Sequence, residues 1–377
     1  MQTLGVGILG CGNISTTYFR LCPLFSGIEI RACADLDPAV AEAQAGRFGL
    51  RALSVEELLA DDALDIIVNL TVPDAHFEVT KAILQAGKHA YSEKPFVLSV
   101  ADGEALRALS AETGLRVGSA PDTFLGGAQQ QARALIDDGA FGNVASGTAM
   151  VMSHGMEHWH PNPDFFFKPG GGPVLDLGPY YIAALINLLG PVRRVAALTS
   201  AATPTRVITS APRAGEEIPV GTPTTVQALL EFARGAAVSL IASWDVWAHR
   251  HPEIELYGIG GSLFLPDPNF FGGAVRAGGG DFSKVETLPA WEHPLGVANE
   301  MHGETNMANY RGAGLTDMAR AIVTGREHRC SLELALHAVD VMTSLLKSGG
   351  SGAFVELTTT CARPEPLGPD AARALLK

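Results

Sequence analysis

In the first part of the chain, short apolar runs alternate with segments whose apolar residues recur every three to four positions. Leu4 to Leu9, Ile28 to Ala34, Ile66 to Leu70, His89 to Ser92 and Arg116 to Ser119 have the pattern of buried strands. Between them, Ile14 to Phe25, Pro38 to Phe48, Val55 to Ala60, Phe77 to Ala86 and Val100 to Thr113 carry the helical period. Asp37-Pro38 and Ser99 are helix-start signals, and Gly49, Gly87 and Gly114 stand where helices stop. Strands alternating with helices of this length imply βαβ crossovers and a parallel sheet. The expectation over residues 1–121 is a doubly wound α/β domain of the Rossmann kind.

From Asp122 the rhythm changes. A helix over Gly127 to Asp137 leads to a long strand, Val144 to Met152. An irregular aromatic-rich stretch, Ser153 to Gly172, then precedes a helix over Leu175 to Leu189. Val192 to Thr199, Thr224 to Phe232, Ala237 to Trp244, Glu253 to Gly258 and Ser262 to Leu265 follow as strands, with Arg234-Gly235 as a hairpin turn. Successive strands without intervening helices predict a mostly antiparallel sheet in a second, α+β domain spanning 122–377. Pro266 to Arg311 is expected to be a long ordered loop, and helices over Gly314 to Val323 and Leu332 to Ser348 to close the domain.

Composition narrows the classes of function. The 377 residues are 47% hydrophobic and 18% charged, the proportions of a globular protein with a large core. A net charge of −13 argues against a nucleic-acid surface, which needs clustered cations, and gives no attraction to an anionic membrane. The five cysteines are scattered, without a CxxC pair, as in a reduced chain rather than a disulfide scaffold or zinc ribbon. Met1-Gln2-Thr3 runs straight into an apolar strand with no signal-peptide pattern, and no apolar run reaches the ~18 residues of a membrane helix. The expectation is a soluble, cytoplasmic protein without membrane or nucleic-acid partners.

Candidate chemistry begins at Gly10-Cys11-Gly12-Asn13-Ile14-Ser15, which follows a predicted strand and opens a helix. The first glycine permits the tight turn; the second lets the backbone approach a pyrophosphate at the helix start. Ser15 replaces the third glycine of the usual fingerprint, and the bare string would also serve an ordinary strand-to-helix turn. Asp35 ends the second strand, where a carboxylate accepts from a free ribose 2′-hydroxyl and repels a 2′-phosphate. Leu36 follows where an NADP site would have arginine, so the expected cofactor is NAD, with NADP disfavoured. Thr71, Val72 and Pro73 are placed to line the nicotinamide-ribose pocket. Glu93-Lys94-Pro95 ends another parallel strand, and a lysine before proline, held extended, would project its ammonium into the crevice. By itself that tripeptide equally suits a solvated surface lysine.

Taken together, these residues resemble the Gfo/Idh/MocA oxidoreductases, the family of glucose–fructose oxidoreductase and inositol dehydrogenase. The likeness covers nearly the whole chain. It rests on GCGN at Gly10 to Asn13, Ala34-Asp35, VPDAHFE at Val72 to Glu78, AGKHAYSEKP at Ala86 to Pro95 and GGGPVLDLGPYY at Gly170 to Tyr181. The resemblance implies a C-terminal open sheet that mediates a homodimer or homotetramer, a substrate cleft between the domains, and a cis Lys94–Pro95 bond. It places Gly10, Gly12, Asn13, Ile14, Asp35, Thr71, Pro73, His76, Glu93 and Lys94 at the cofactor. It makes Lys94 catalytic and Asp176 the residue that orients the substrate hydroxyl. Four residues on, most members have histidine, whereas this chain has Tyr180, as in members where tyrosine is the acid/base.

Between the long strand and the glycine-rich turn, His154, His158, Trp159 and His160 should hang over the substrate, with Phe165 to Phe167 as apolar faces for a sugar ring. The histidine spacing gives no helical face for a metal, and none is expected. His160 is the second candidate for the acid/base. Asp122 and Thr123 are candidate hydroxyl ligands, although Asp122 equally suits a cap for the helix at Gly127. Trp244, Asp245 and Trp247 suit either the cleft or a subunit interface. Arg311 suits a substrate carboxylate, or structurally an ion pair to Asp317 or a backbone clamp. The implied activity is hydride transfer between NAD and a sugar, polyol or related cyclic alcohol. Glycoside cleavage through a keto-sugar with retained NAD, and an NAD-binding regulatory protein without catalysis, stay open.

Overall fold

The computed structural model describes residues 2–279 and 284–377. Strands β1 (Leu4–Leu9), β2 (Ile28–Ala34), β3 (Arg51–Ala52), β4 (Ile66–Asn69), β5 (His89–Ser92) and β6 (Val117–Ser119) form a wholly parallel sheet ordered β3-β2-β1-β4-β5-β6. Every residue of β1 and β4 is buried, as a strand covered on both faces requires. The crossovers are made by α1 (Ser15–Leu21), α2 (Pro38–Phe48), α3 (Val55–Ala60), α4 (His76–Gln85) and α5 (Val100–Thr113). Asp37 and Ser99 cap α2 and α5 through their side chains, and Gly49 and Gly114 end these helices in the left-handed conformation. The first helix is shorter than its apolar pattern suggests. It gives way to a 3₁₀ turn over Cys22–Leu24, because Pro23 has no amide with which to continue it.

The rest of the chain builds α6 (Gly127–Asp137), β7 (Val144–Met152), α7 (Asp164–Phe167), α8 (Pro173–Asp176), α9 (Gly178–Leu189), β8 (Val192–Ser200), β9 (Thr205–Val207) and β10 (Glu217–Pro219). Next come β11 (Thr225–Phe232), β12 (Ala237–Ser243), β13 (Ile254–Gly258), β14 (Gly261–Leu265), β15 (Arg276–Gly278), β16 (Val285–Thr287), β17 (Glu300–His302) and β18 (Thr305–Met307). The chain closes with α10 (Ala313–Thr324), α11 (Leu332–Ser351), β19 (Val355–Glu356) and α12 (Pro369–Leu375). Nine strands form one sheet ordered β16-β15-β14-β13-β7-β12-β11-β8-β19. Its pairs are antiparallel except β7 with β12. On β11, Val226, Ala228, Leu230 and Phe232 face the core while Gln227 and Leu229 point away from it. Helices α9 and α11 pack on the sheet's inner face.

Three expectations need correction here. The stretch 266–311 is not simply loop but contains β15, β17, β18 and, among its described residues, β16. The β9–β10 hairpin and α12 carried no periodic signal either; three residues of strand are too few to show a period of two. The helix over 175–189 is divided into α8 and α9, because Pro179 cannot donate to the carbonyl of Leu175. One apolar core runs through both sheets, and the edge of the parallel sheet meets the C-terminal helices where the Ser119 amide donates to Cys330 O at 3.1 Å. Among the described residues, no helix is long and apolar enough to cross a membrane.

Candidate active site

The loops bearing the motifs all leave carboxyl ends of parallel strands. Gly10 follows β1, Asp35 follows β2, Thr71 follows β4 and Glu93-Lys94 follows β5, so they ring the crevice where strand order reverses between β1 and β4. Gly10 has φ 99°, and a Cβ there would sit 2.7 Å from the Leu70 carbonyl carbon. Only glycine lets these two loops approach so closely. A Cβ on Gly12 would meet nothing within 4 Å; the backbone before α1, with Asn13 exposed and Ile14 half-buried, faces open space. The Asp35 carboxylate accepts the Cys11 amide at 2.7 Å and the Asp37 amide at 3.0 Å, and Leu36 beside it is 93% exposed. An open glycine cradle beside an acidic strand end fits the pyrophosphate and ribose of a dinucleotide.

Two residues expected at the cofactor, His76 and Glu93, make contacts within the chain that brace the strand-end loops. His76 is buried, with Nδ1 2.7 Å from Pro95 O and Nε2 3.0 Å from Thr71 O, so it ties the β4 loop to the β5 loop. Burial holds its pKa below the ordinary imidazole value, against the pull of the two carbonyls. Glu93 accepts the Tyr18 hydroxyl at 3.0 Å and the Lys94 amide at 2.8 Å, so both its oxygens are engaged within the chain and fix the backbone of Lys94. Thr71 is itself held by Asn69, whose Oδ1 accepts the threonine hydroxyl at 2.7 Å. Pro73 opens the 3₁₀ turn that leads into α4.

At the next strand end the Lys94–Pro95 peptide is cis. Lys94 Nζ donates to Asp176 Oδ1 at 2.7 Å and to Asp176 O at 2.8 Å, and lies 5.4 Å from the Tyr180 ring centroid. Burial favours the neutral amine, but the charges of Asp176, Tyr180 and Glu93 outweigh it and hold the lysine pKa above its ordinary value. Asp176 ends α8 and Tyr180 lies in the first turn of α9. The right-handed helical backbone of Leu177, between them, keeps both beside Lys94 despite the break. Arg311 completes the group. Its guanidinium carbon lies 5.8 Å from the Tyr180 centroid, and it donates to Asn309 Oδ1 at 2.9 Å and Asn269 Oδ1 at 2.7 Å. Of its two structural alternatives, the pair with Asp317 does not form, because buried Asp317 binds Arg326 and Arg329, whereas the backbone clamp does, to Asn269 O at 3.2 Å. No local pattern links Arg311 to Asn269, 42 residues away.

Asp122 and Thr123, expected to hold substrate hydroxyls, are 2% and 1% exposed. Asp122 Oδ2 accepts the amides of Gly312 (2.9 Å) and Gly314 (3.0 Å), so it caps α10 rather than α6. Burial pushes its pKa up to about 6 against those amides and Arg311. In the histidine loop, His160 packs edge-on against Phe165 and Phe166 at centroid distances of 5.4 and 5.3 Å and feels the charge of Asp176. His158 and Trp159 are exposed, while His154 stacks on Trp247 at 3.3 Å between centroids. Trp244 is fully buried and lines no cleft. Beneath the loop, Arg206 pairs with Glu157 at 3.1 Å and with Asp245, an anchor that no sequence motif announced. Among the described residues, no three metal-ligating side chains cluster.

Residues 4–120 match the family model described as an oxidoreductase family with an NAD-binding Rossmann fold, and residues 129–264 match the GFO/IDH/MocA C-terminal domain. The chain is 26% identical to a D-xylose 1-dehydrogenase (NADP(+)) of Haloferax volcanii over 93% of its own length and 99% of that protein. It is also 26% identical to an inositol 2-dehydrogenase of Rhizobium meliloti, over 45% of this chain and 50% of that one. A solved levoglucosan dehydrogenase, in complex with NADH and L-sorbose, superposes with a TM-score of 0.81 at 19% identity, covering 95% of this chain and 100% of that one.

Proposed function

The chain belongs to the Gfo/Idh/MocA oxidoreductases, and from that premise we propose an NAD-dependent dehydrogenase or reductase of a sugar, polyol or related cyclic alcohol. The observation that carries this reading is the Lys94 ammonium, 2.7 Å from Asp176 and 5.4 Å from the Tyr180 centroid, at the carboxyl end of β5. The names of relatives that act on xylose and inositol support the substrate class. The preference for NAD rests on Asp35 and Leu36, against a relative named for NADP. Gly10, Gly12, Asn13 and Ile14 would hold the pyrophosphate, Asp35 the adenosine ribose, and Thr71 and Pro73 the nicotinamide side.

A bound nicotinamide supplies the hydride acceptor or donor. Proton movement falls to the chain. In oxidation, Tyr180 takes the proton of the substrate hydroxyl; in reduction it returns it. A free phenol has a pKa near ~10, so the base form needs a neighbouring cation. Lys94 supplies that charge and can donate to the reacting oxygen, while Asp176 orients it and keeps it protonated. His158, Trp159 and His160 form the outer wall for sugar hydroxyls and a ring face. Assembly into a homo-oligomer through the nine-stranded sheet belongs to the same proposal.

Lys94→Ala should lower turnover by at least ~100-fold while NADH binding, followed by fluorescence, is retained. Undiminished turnover would sink the assignment. Substrates come from a panel of aldoses, inositols, glycosides and sugar acids read at the nicotinamide absorbance with NAD and NADP. Aglycone release without net change in that absorbance would replace oxidoreduction by glycoside cleavage. Turnover retained by Tyr180→Phe would move the acid/base to His160.

A further inference from the structure

Two cations carried on separate parts of the chain share Tyr180. Lys94 comes from the end of β5 and Arg311 from the segment before α10, 5.4 and 5.8 Å from the ring centroid. They differ in how their charges are compensated. Lys94 is paired with Asp176, whereas among the described residues Arg311 donates to the neutral oxygens Asn309 Oδ1 (2.9 Å), Asn269 Oδ1 (2.7 Å) and Asn269 O (3.2 Å). The carboxylates around it have partners of their own: Asp317 has Arg326 and Arg329, Asp122 the Gly312 and Gly314 amides, Glu93 Tyr18 and the Lys94 amide, and Asp267 the Asn269 amide. A guanidinium is never deprotonated in proteins, and seating one partly out of water against neutral oxygens has a cost. The two asparagines fix its plane, and the Tyr180 ring, with its titratable hydroxyl, lies 5.8 Å from it.

We propose that Arg311 is a positioning residue which, together with Lys94, stabilises the phenolate through which Tyr180 accepts the substrate's hydroxyl proton. This rests on Tyr180 being the proton acceptor. In oxidation the alcohol O–H gives its proton to the phenolate oxygen, the carbinol C–H electron pair leaves as hydride to the nicotinamide, and the substrate becomes the carbonyl. Reduction runs the same transfers backward. Lys94 and Arg311 favour the phenolate; Asp176, Glu93, Asp122 and Asp267 oppose it but are each tied to a partner. Consistent with this division, Tyr180 together with Asp122 and Glu93 raises the Arg311 pKa, although burial opposes.

The other tyrosines leave a spectral window for the test. Burial holds Tyr18, Tyr91, Tyr181, Tyr257 and Tyr310 above the ordinary phenol value. An ultraviolet difference titration of the whole protein should therefore show one early tyrosinate step, absent in Tyr180→Phe. Arg311→Gln should raise its midpoint by about one pH unit or more, since a charge at ~4–6 Å shifts an acid by that order. Arg311→Lys should restore part of the shift. Asn269→Ala, which keeps the cation but loosens its seat, should move the midpoint the same way by less, and serves if Arg311→Gln does not fold. The acid limb of the kcat profile should follow the titration while KM changes little. A midpoint unmoved in Arg311→Gln overturns the proposal. So does a KM rise confined to sugar acids at constant midpoint, which would make Arg311 a carboxylate ligand. If Tyr180→Phe keeps turnover, the acid/base assignment falls, while the titration still reports separately whether Arg311 sets the phenol.

Discussion

Asp35 braces the glycine turn from the end of β2. Its oxygens accept the amides of Cys11 and Asp37, so the carboxylate is fixed beside the glycine turn rather than free to swing away from a ribose. A charge so held is expected to discriminate by repulsion as well as by hydrogen bonding. Asp35→Ser combined with Leu36→Arg should shift the ratio of NADH to NADPH affinities toward NADPH by ~10- to 100-fold, the worth of a hydrogen bond to a charged group. Dissociation constants from fluorescence titration check it, and an unchanged ratio would place cofactor choice elsewhere. Asp35, like Lys94 and Asp176, was legible because its motif is local: strand end, turn and residue type lie within one stretch of chain. Arg311 was visible only as an isolated arginine, since Asn269 reaches it from the other side of a glycine-rich segment.

At the scale of elements, Asp122 shows how a helix cap can be misassigned. The helix that starts five residues later, α6, has Gly126 at its cap and receives nothing from Asp122, which instead caps α10, about 190 residues on. Burial lifts its pKa to about 6, above the ~3.9 of an unfolded aspartate. Between those values the folded state binds the extra proton. The stabilisation from this group is therefore present below about pH 4 and lost as pH rises through 6, about 3 kcal/mol at most. Asparagine keeps an acceptor at the cap without the charge. Urea unfolding at about pH 4 and pH 7 should show Asp122→Asn gaining about 2–3 kcal/mol on the natural protein across that interval. Parallel stability curves would refute it. The split between α8 and α9 was also within reach of the sequence, since Pro179 was in view; what it did not disclose is that the backbone of Leu177 stays helical and keeps Asp176 and Tyr180 together.

For the whole molecule, the outward face of the nine-stranded sheet is the telling surface. Leu198, 73% exposed, sits opposite Gln227, and Leu229, 51% exposed, sits opposite Ala196. These leucines lie on the adjacent strands β8 and β11 rather than in loops. Strands covered on one side alone would carry polar residues there, and exposed apolar patches commonly mark contacts with another chain. Leu198→Glu with Leu229→Glu should convert an oligomer into a smaller species in sedimentation velocity, with unfolding little changed. A natural protein that sediments as a monomer would end this proposal.

By itself the sequence determined the parallel sheet, the glycine turn after β1 and the residue types of the candidate proton-transfer group. Those features depend on periodicity, on glycine's conformational freedom and on motifs a few residues long, all of which are local. Tertiary structure alone decided that Asp122, Thr123, His76 and Trp244 are buried, and that Arg311 joins Lys94 at Tyr180. Charge acts through space and burial is a property of the packed whole, so neither distance along the chain nor residue type could fix which of these groups meet.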